Sequence, residues 1–300
     1  MHNQELKSSN FEDREDFWDL QTKPSKEFLD MWLEKIKEVV DSYKPDFLWF
    51  DFGLEYIQEH YKKEFLTYYY NKQMEWQKDV VVSYKWHHMV PGSALVDLEL
   101  GRFNKLTYND WITDTTVDVG GAWSYVHEAK YKTPKKLIHY LIDNVSKNGY
   151  MLLNVGPKPN GEIPEPAKKL LLAIGDWLNI NGEAIYGTTP WMLYGEGPTE
   201  MKEAGAFTEG EKIEFTHQDI RYTVKDNVLY AISLGWPKKE LILKSGSQKL
   251  YELEIRSIKL LGVDGELSWK KTDKDLRIKT PQEKPCQHAY VFKIERKRPF

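Results

Sequence analysis

The sequence predicts an α/β part built on parallel strands, followed by an all-β antiparallel sandwich. Three observations carry that expectation. Short apolar runs alternate with helical patterns through the first two thirds of the chain, as βα units on a parallel sheet do. After Trp191 no long helical pattern appears. Short alternating runs separated by turn residues take its place, the texture of an antiparallel sandwich.

Residues 1–23 are charged and aperiodic and read as a loop. Pro24-Ser25-Lys26-Glu27 opens a helix over 25–42, with Phe28, Met31, Trp32, Leu33, Ile36, Val39 and Val40 as its apolar stripe. Residues 47–51 read as a strand buried on both faces, because four apolar positions run on without alternation. A helix over 55–74 turns Ile57, Tyr61, Phe65, Leu66 and Tyr69 inward, and 80–85 is a second buried strand. The passage 86–125 is irregular, with strand candidates at 95–98 and 108–113. Pro134 sits in the first turn of a helix that Asn148-Gly149 stops. A strand at 150–155 and a helix over 165–179 follow. Gly195-Glu196-Gly197-Pro198-Thr199 has linker composition, so domains are expected at 1–194 and 195–300. Sandwich strands are expected at 212–216, 220–224, 228–234, 241–243, 255–261, 276–279 and 289–294.

Composition narrows the function classes. Forty-two basic residues against forty-six acidic ones, with no basic run, argue against a nucleic-acid partner. No apolar stretch is long enough to cross a bilayer, so the chain reads as soluble with no membrane partner, its compartment open. The single cysteine, Cys286, leaves no intrachain disulfide and no cysteine-based zinc site. His87 and His88, adjacent on extended backbone, point to opposite sides, and no metal or other cofactor is expected. Eleven tryptophans and eighteen tyrosines go partly to an ordinary core, but such rings also suit the apolar faces of sugars.

The segment Phe47-Leu48-Trp49-Phe50-Asp51-Phe52-Gly53 is the most informative. A carboxylate at the end of a parallel strand lies where α/β folds keep their chemistry. An apolar surround would leave Asp51 poorly solvated, a setting for a nucleophile or a tuned acid. Trp49, two residues earlier, projects to the same side of the strand. A closed eight-stranded βα barrel needs ~250 residues, and fewer than 200 precede the linker. The α/β part is therefore either an open sheet or a barrel without its first half.

Several blocks, in one order, resemble the retaining α-L-fucosidases of glycoside hydrolase family 29. Leu48-Trp49-Phe50-Asp51 with Gly53 resembles the nucleophile strand of that family, and Asp97-Leu98-Glu99-Leu100-Gly101-Arg102 resembles the D-x-E-x-G-R segment of one of its branches, where the glutamate is the acid/base. Trp111-Ile112-Thr113-Asp114-Thr115-Thr116, with Trp123-Ser124-Tyr125, resembles the W-x-T-D-T-S block and its aromatic tail. Leu152-Leu153-Asn154-Val155-Gly156-Pro157, with Gly161-Glu162-Ile163-Pro164, is close to a family hallmark. Asp219-Ile220-Arg221-Tyr222-Thr223 and Leu234-Gly235-Trp236-Pro237 match in the sandwich.

The resemblance implies a partial (β/α)8-like barrel, of about its last four or five strands, followed by the β-sandwich. It implies a retaining fucosidase with Asp51 as nucleophile and Glu99 as acid/base, Asp97 and Asp114 being rivals for the second role. Trp49, Lys85 and Trp123 are then candidates for contact with the sugar of a fucosylated glycan or fucoside. In many members the tryptophan block reads W-E-T; isoleucine at 112 cannot transfer a proton, which shifts that role to Glu99. The family's amino-terminal half barrel has no counterpart in residues 1–46. Hence the alternative expectation is a catalytically incomplete fragment or carbohydrate-binding relic, or a chain whose barrel is completed by a second chain or swapped protomer.

Overall fold

The computed structural model describes residues 24–247 and 255–297; the loop expected at 1–23 lies outside them. The chain divides into two compact units between Val96 and Asp97.

In the first unit, helix α1 (Lys26–Tyr43) is capped by Ser25, whose Oγ accepts the Phe28 N–H at 3.2 Å. Its buried positions are Leu29, Leu33 and Val40, while Phe28, Met31 and Val39, expected in the stripe, are exposed. The true stripe follows the 29, 33, 36, 40 spacing, which leaves those three on the flanks. Strand β1 (Phe47–Trp49) pairs in parallel with β2 (Val81–Lys85), placing Trp49 opposite Ser83. Strand β1 is not buried on both faces as expected. Leu48 and Phe50 pack into the core with Phe65 and Trp32, whereas Trp49 and Asp51 alternate to the other, accessible face. Helix α2 (Glu59–Trp76) begins later than its pattern predicts, because Leu54–Tyr56 forms a separate 3-10 turn with Leu54 buried. Strand β3 (Leu95–Asp97) ends this unit, and its last residue opens the next.

In the second unit, β4 (Trp111–Thr116) pairs in parallel with β5 (Gly149–Asn154), and helices α3 (Pro134–Ser146) and α4 (Glu165–Asn181) alternate with them. All six residues of β4 are buried, three of them threonines. The polar pattern disguised a strand that runs three residues beyond its expected end. Burial is tolerated because each hydroxyl has a partner: Thr113 Oγ1 donates to Leu98 O at 2.8 Å, Thr115 to Glu209 at 2.6 Å and Thr116 to Ala122 O at 2.9 Å.

Among the described residues the later strands are β6 (Thr189–Glu196), β7 (Ile220–Lys225), β8 (Val228–Ser233), β9 (Glu240–Leu243), β10 (Ile255–Leu260), β11 (Trp269–Lys271), β12 (Leu276–Lys279) and β13 (Tyr290–Arg296). They form a five-stranded sheet of order β10-β13-β8-β7-β6 and a three-stranded sheet of order β11-β12-β9. Leu241, Leu243, Leu276 and Ile278 of the small sheet share a core with Tyr222, Leu229 and Phe292 of the large one. Strand β8 is buried throughout: Tyr230 and Ile232 join α3 and α4 in a second core, while Leu229 and Ala231 face the small sheet. Gly195 and Glu196, read as linker, belong to β6; a Cβ on Gly195 would stand 2.3 Å from Ile220 O. The strand expected at 212–216 is irregular instead. Buried Asp219 accepts the Thr216 N–H at 2.7 Å and its hydroxyl at 2.9 Å, a local turn that replaces a ladder.

Helix α3 is fixed on both sides. Asp143 receives Arg221 Nε and Lys147 Nζ, each at 2.6 Å, all three side chains buried. His139, also buried, sits with Nε2 3.0 Å from His288 O. Burial first, then the charges of Lys135 and Arg221, push the His139 imidazole down from 6.5 to about 4, against the hydrogen bond to His288. The unfolded chain therefore binds more protons across that interval, so stability is full above pH 6.5 and falls towards pH 4. The swing is on the order of 3 kcal/mol. Melting curves between those pH values are expected to show this loss, and His139→Gln to flatten it.

Candidate active site

Asp51 follows β1 directly, and the Phe50 N–H still reaches Ser83 O at 3.4 Å, so the ladder carries the chain to the residue before the carboxylate. Lys85 ends the neighbouring strand with a fully buried side chain. Its Nζ stands 4.0 Å from Asp51 Oδ1 and 5.2 Å from the centroid of the Trp49 ring. A buried ammonium is tolerated only with such partners, a carboxylate and an aromatic face. Three residues singled out from sequence thus meet in one place, on the accessible face of β1. The carboxylate is not withdrawn from water as its apolar neighbours led one to expect: its side chain is 46% exposed. Phe50 turns into the core, and the Phe52 ring lies 5.7 Å from that of Trp86, tilted by 52°.

At the same rim His87 is exposed and His88 buried; both lie in the turn after β2, not on the extended backbone expected from the sequence. His88 Nδ1 lies 3.2 Å from Glu55 Oε2. Burial lowers its pKa, and Glu55 pulls the other way. Lys62 donates to His88 O at 2.7 Å, tying this turn to α2.

The second unit holds the other carboxylates. Asp97 is fully buried and its Oδ1 accepts the Asp114 N–H at 3.1 Å; Asp114 is buried too. Glu99 is half-buried, on the loop that leaves β3. That loop is held closely: Leu100, with φ of 46°, donates to Asp114 O at 2.9 Å, and Tyr140 Oη donates to Gly101 O. A Cβ on Gly101 would meet Gly205 O at 2.1 Å and Ala206 Cα at 2.7 Å, backbone atoms with no side-chain freedom to yield. Gly101→Ala is therefore expected to destabilise by about 1–3 kcal/mol, measurable by denaturant titration.

Trp123 is 37% exposed and lies on the loop after β4. The side chain of Asn154, at the end of β5, donates to Trp123 O at 2.9 Å and to Thr116 Oγ1 at 3.2 Å. Gly156 lets the chain pass, since a Cβ there would stand 2.6 Å from Ser124 C. In the sequence the signal for Asn154 is an amide closing an apolar strand, a group that needs a partner there.

Comparison with known proteins decides the lineage. The α-L-fucosidase family profile matches residues 2–183, and the α-L-fucosidase C-terminal domain profile matches 213–295. The chain belongs to the α-L-fucosidase family. Tissue α-L-fucosidase of Rattus norvegicus is 30% identical over 244 residues, covering 79% of this chain and 48% of that protein. The Homo sapiens tissue enzyme is 29% identical over 277 residues, covering 87% and 54%. Among solved structures, the α-fucosidase of Thermotoga maritima aligns with a TM-score of 0.69 at 28% identity, over 90% of this chain and 57% of that one. Its complex with fucose aligns at 0.68 and 26%. This fucosidase-family chain spans about half the length of the curated relatives it matches. Parallel strands followed by antiparallel sheets are the fold it shares with the Thermotoga maritima structure. Ile112 is buried in β4.

Proposed function

We propose that this chain works as a retaining α-L-fucosidase on terminal fucosyl linkages of glycans or fucosides. The observation that carries the reading is the meeting of Asp51, the buried Lys85 ammonium and the Trp49 ring at the end of β1. The fucose complex of the Thermotoga maritima relative supports the sugar assignment. In the first step a carboxylate oxygen of Asp51 attacks the anomeric carbon as the glycosidic bond breaks. Glu99 gives its proton to the departing oxygen. A water then attacks the anomeric carbon, returning a proton to Glu99 and releasing Asp51. The reaction requires the two carboxyl groups roughly 5–5.5 Å apart across the bound sugar. A strand end and a buried ammonium hold the attacking group in place, and Trp49 and Trp123 offer apolar faces to the sugar ring and its methyl group.

The test is the stereochemistry of turnover. An aryl α-L-fucoside followed by proton NMR should release α-L-fucose first, mutarotating later to the β anomer. Release of the β anomer first would exclude double displacement. A flat trace from folded protein would favour the incomplete, carbohydrate-binding reading, and turnover confined to a larger complex would favour a barrel completed by a second chain.

A further inference from the structure

We infer that residues 205–209 form the leaving-group side of the site, with the ring of Phe207 as the surface on which the departing sugar or aryl group rests. The inference rests on the reading of Glu99 as proton donor. A group that protonates the glycosidic oxygen is flanked by whatever the substrate carries beyond that oxygen, so the neighbour of Glu99 decides what the leaving group meets.

That neighbour is known from the main chain. Arg102 and Gly205 exchange two hydrogen bonds, at 3.2 and 2.8 Å, forming an antiparallel bridge. From there the Phe207 N–H donates to Glu99 O at 2.7 Å and the Glu209 N–H to Leu100 O at 2.7 Å. Phe207 thus lies beside Glu99, in an irregular strip that continues from the isolated Arg102–Gly205 bridge without forming a regular ladder.

Its backbone is unusual. Phe207 has φ of 60°, a left-handed conformation out of place for a bulky residue, and its side chain gains no core: the residue is 59% exposed. Glycine would take this conformation without strain. Strain of this kind persists where surrounding structure imposes it, and it gathers at binding and catalytic sites.

The imposing structure is a buried polar frame below the strip. Glu209, itself buried, accepts Thr115 Oγ1 at 2.6 Å and pairs with Lys132 Nζ at 2.5 Å. Glu211 pairs with the buried guanidinium of Arg102 at 2.9 Å. The ring is therefore presented outward from a rigid mount, as a stacking surface for a pyranose or aryl group has to be.

The experiment compares a fucosyl disaccharide with α-L-fucosyl fluoride, whose leaving group has no ring to stack. Phe207→Ala is expected to lower the disaccharide-to-fluoride ratio of kcat/KM roughly tenfold, and Phe207→Tyr to keep it near wild type. A ratio unchanged in folded Phe207→Ala overturns the inference. Should that variant not fold, Phe207→Leu against Phe207→Tyr makes the same comparison, and equal ratios overturn it. Failure of the underlying reading shows separately, as undiminished disaccharide turnover in Glu99→Gln, or as no turnover of either substrate by the unaltered protein.

Discussion

Asp51→Ala is expected to cut kcat on an aryl α-L-fucoside by roughly ten-thousandfold or more, the scale on which removing an attacking group silences an enzyme. Taking the carboxylate from the buried Lys85 ammonium should cost some stability, while the ladder neighbours Leu48 and Phe50 stay in the core, so kcat is compared on protein shown to be folded. The variant leaves space at the anomeric carbon, so added azide should restore turnover and give β-L-fucosyl azide, inverted relative to the substrate. Retention of full activity, or an azide product of retained configuration, would move the nucleophile elsewhere.

Glu99→Ala has the second largest expected effect, and its size depends on the leaving group. For a fucosyl disaccharide, whose alkoxide must be protonated to depart, the loss should be about a hundred- to ten-thousandfold. For an activated aryl fucoside the first step needs little help, so the fucosyl-enzyme should accumulate. Azide should then yield α-L-fucosyl azide, of retained configuration, by attack on the intermediate. Equal losses on both substrates would point away from Glu99. Asp97 and Asp114 are weaker rivals: both are buried, and Asp97 is committed to the Asp114 N–H.

Much of this was readable from residue order, and the misses have physical causes. Asp51 at the end of β1 was legible chiefly through the resemblance of its block to a family motif, whereas its exposure was not, since a run of apolar residues hides the alternation that turns Trp49 and Asp51 outward. Period two placed Trp49 on the same side as Asp51, as the shared Lys85 contact bears out. Lys85 as a wholly buried residue was not legible, since a lysine closing a strand is usually solvated; a carboxylate and an indole from the adjacent strand make burial tolerable. Thr115 and Thr116 of β4 and Gly195 of β6 read as loop and linker because polarity and flexibility dominate their pattern. Neither signal shows the long-range partners that satisfy a hydroxyl or demand a missing Cβ. Phe207 was invisible for the same reason. Its interest lies in a positive φ and in a hydrogen bond to a residue more than a hundred positions earlier.

The most direct test is to trap the covalent intermediate. Protein incubated with a fluorinated fucosyl fluoride, digested and mapped by mass spectrometry, should carry one fluorofucosyl group on the peptide containing Phe47 to Gly53, with fragmentation placing it on Asp51. Label on another carboxylate, or steady turnover with no labelled peptide, would contradict the account.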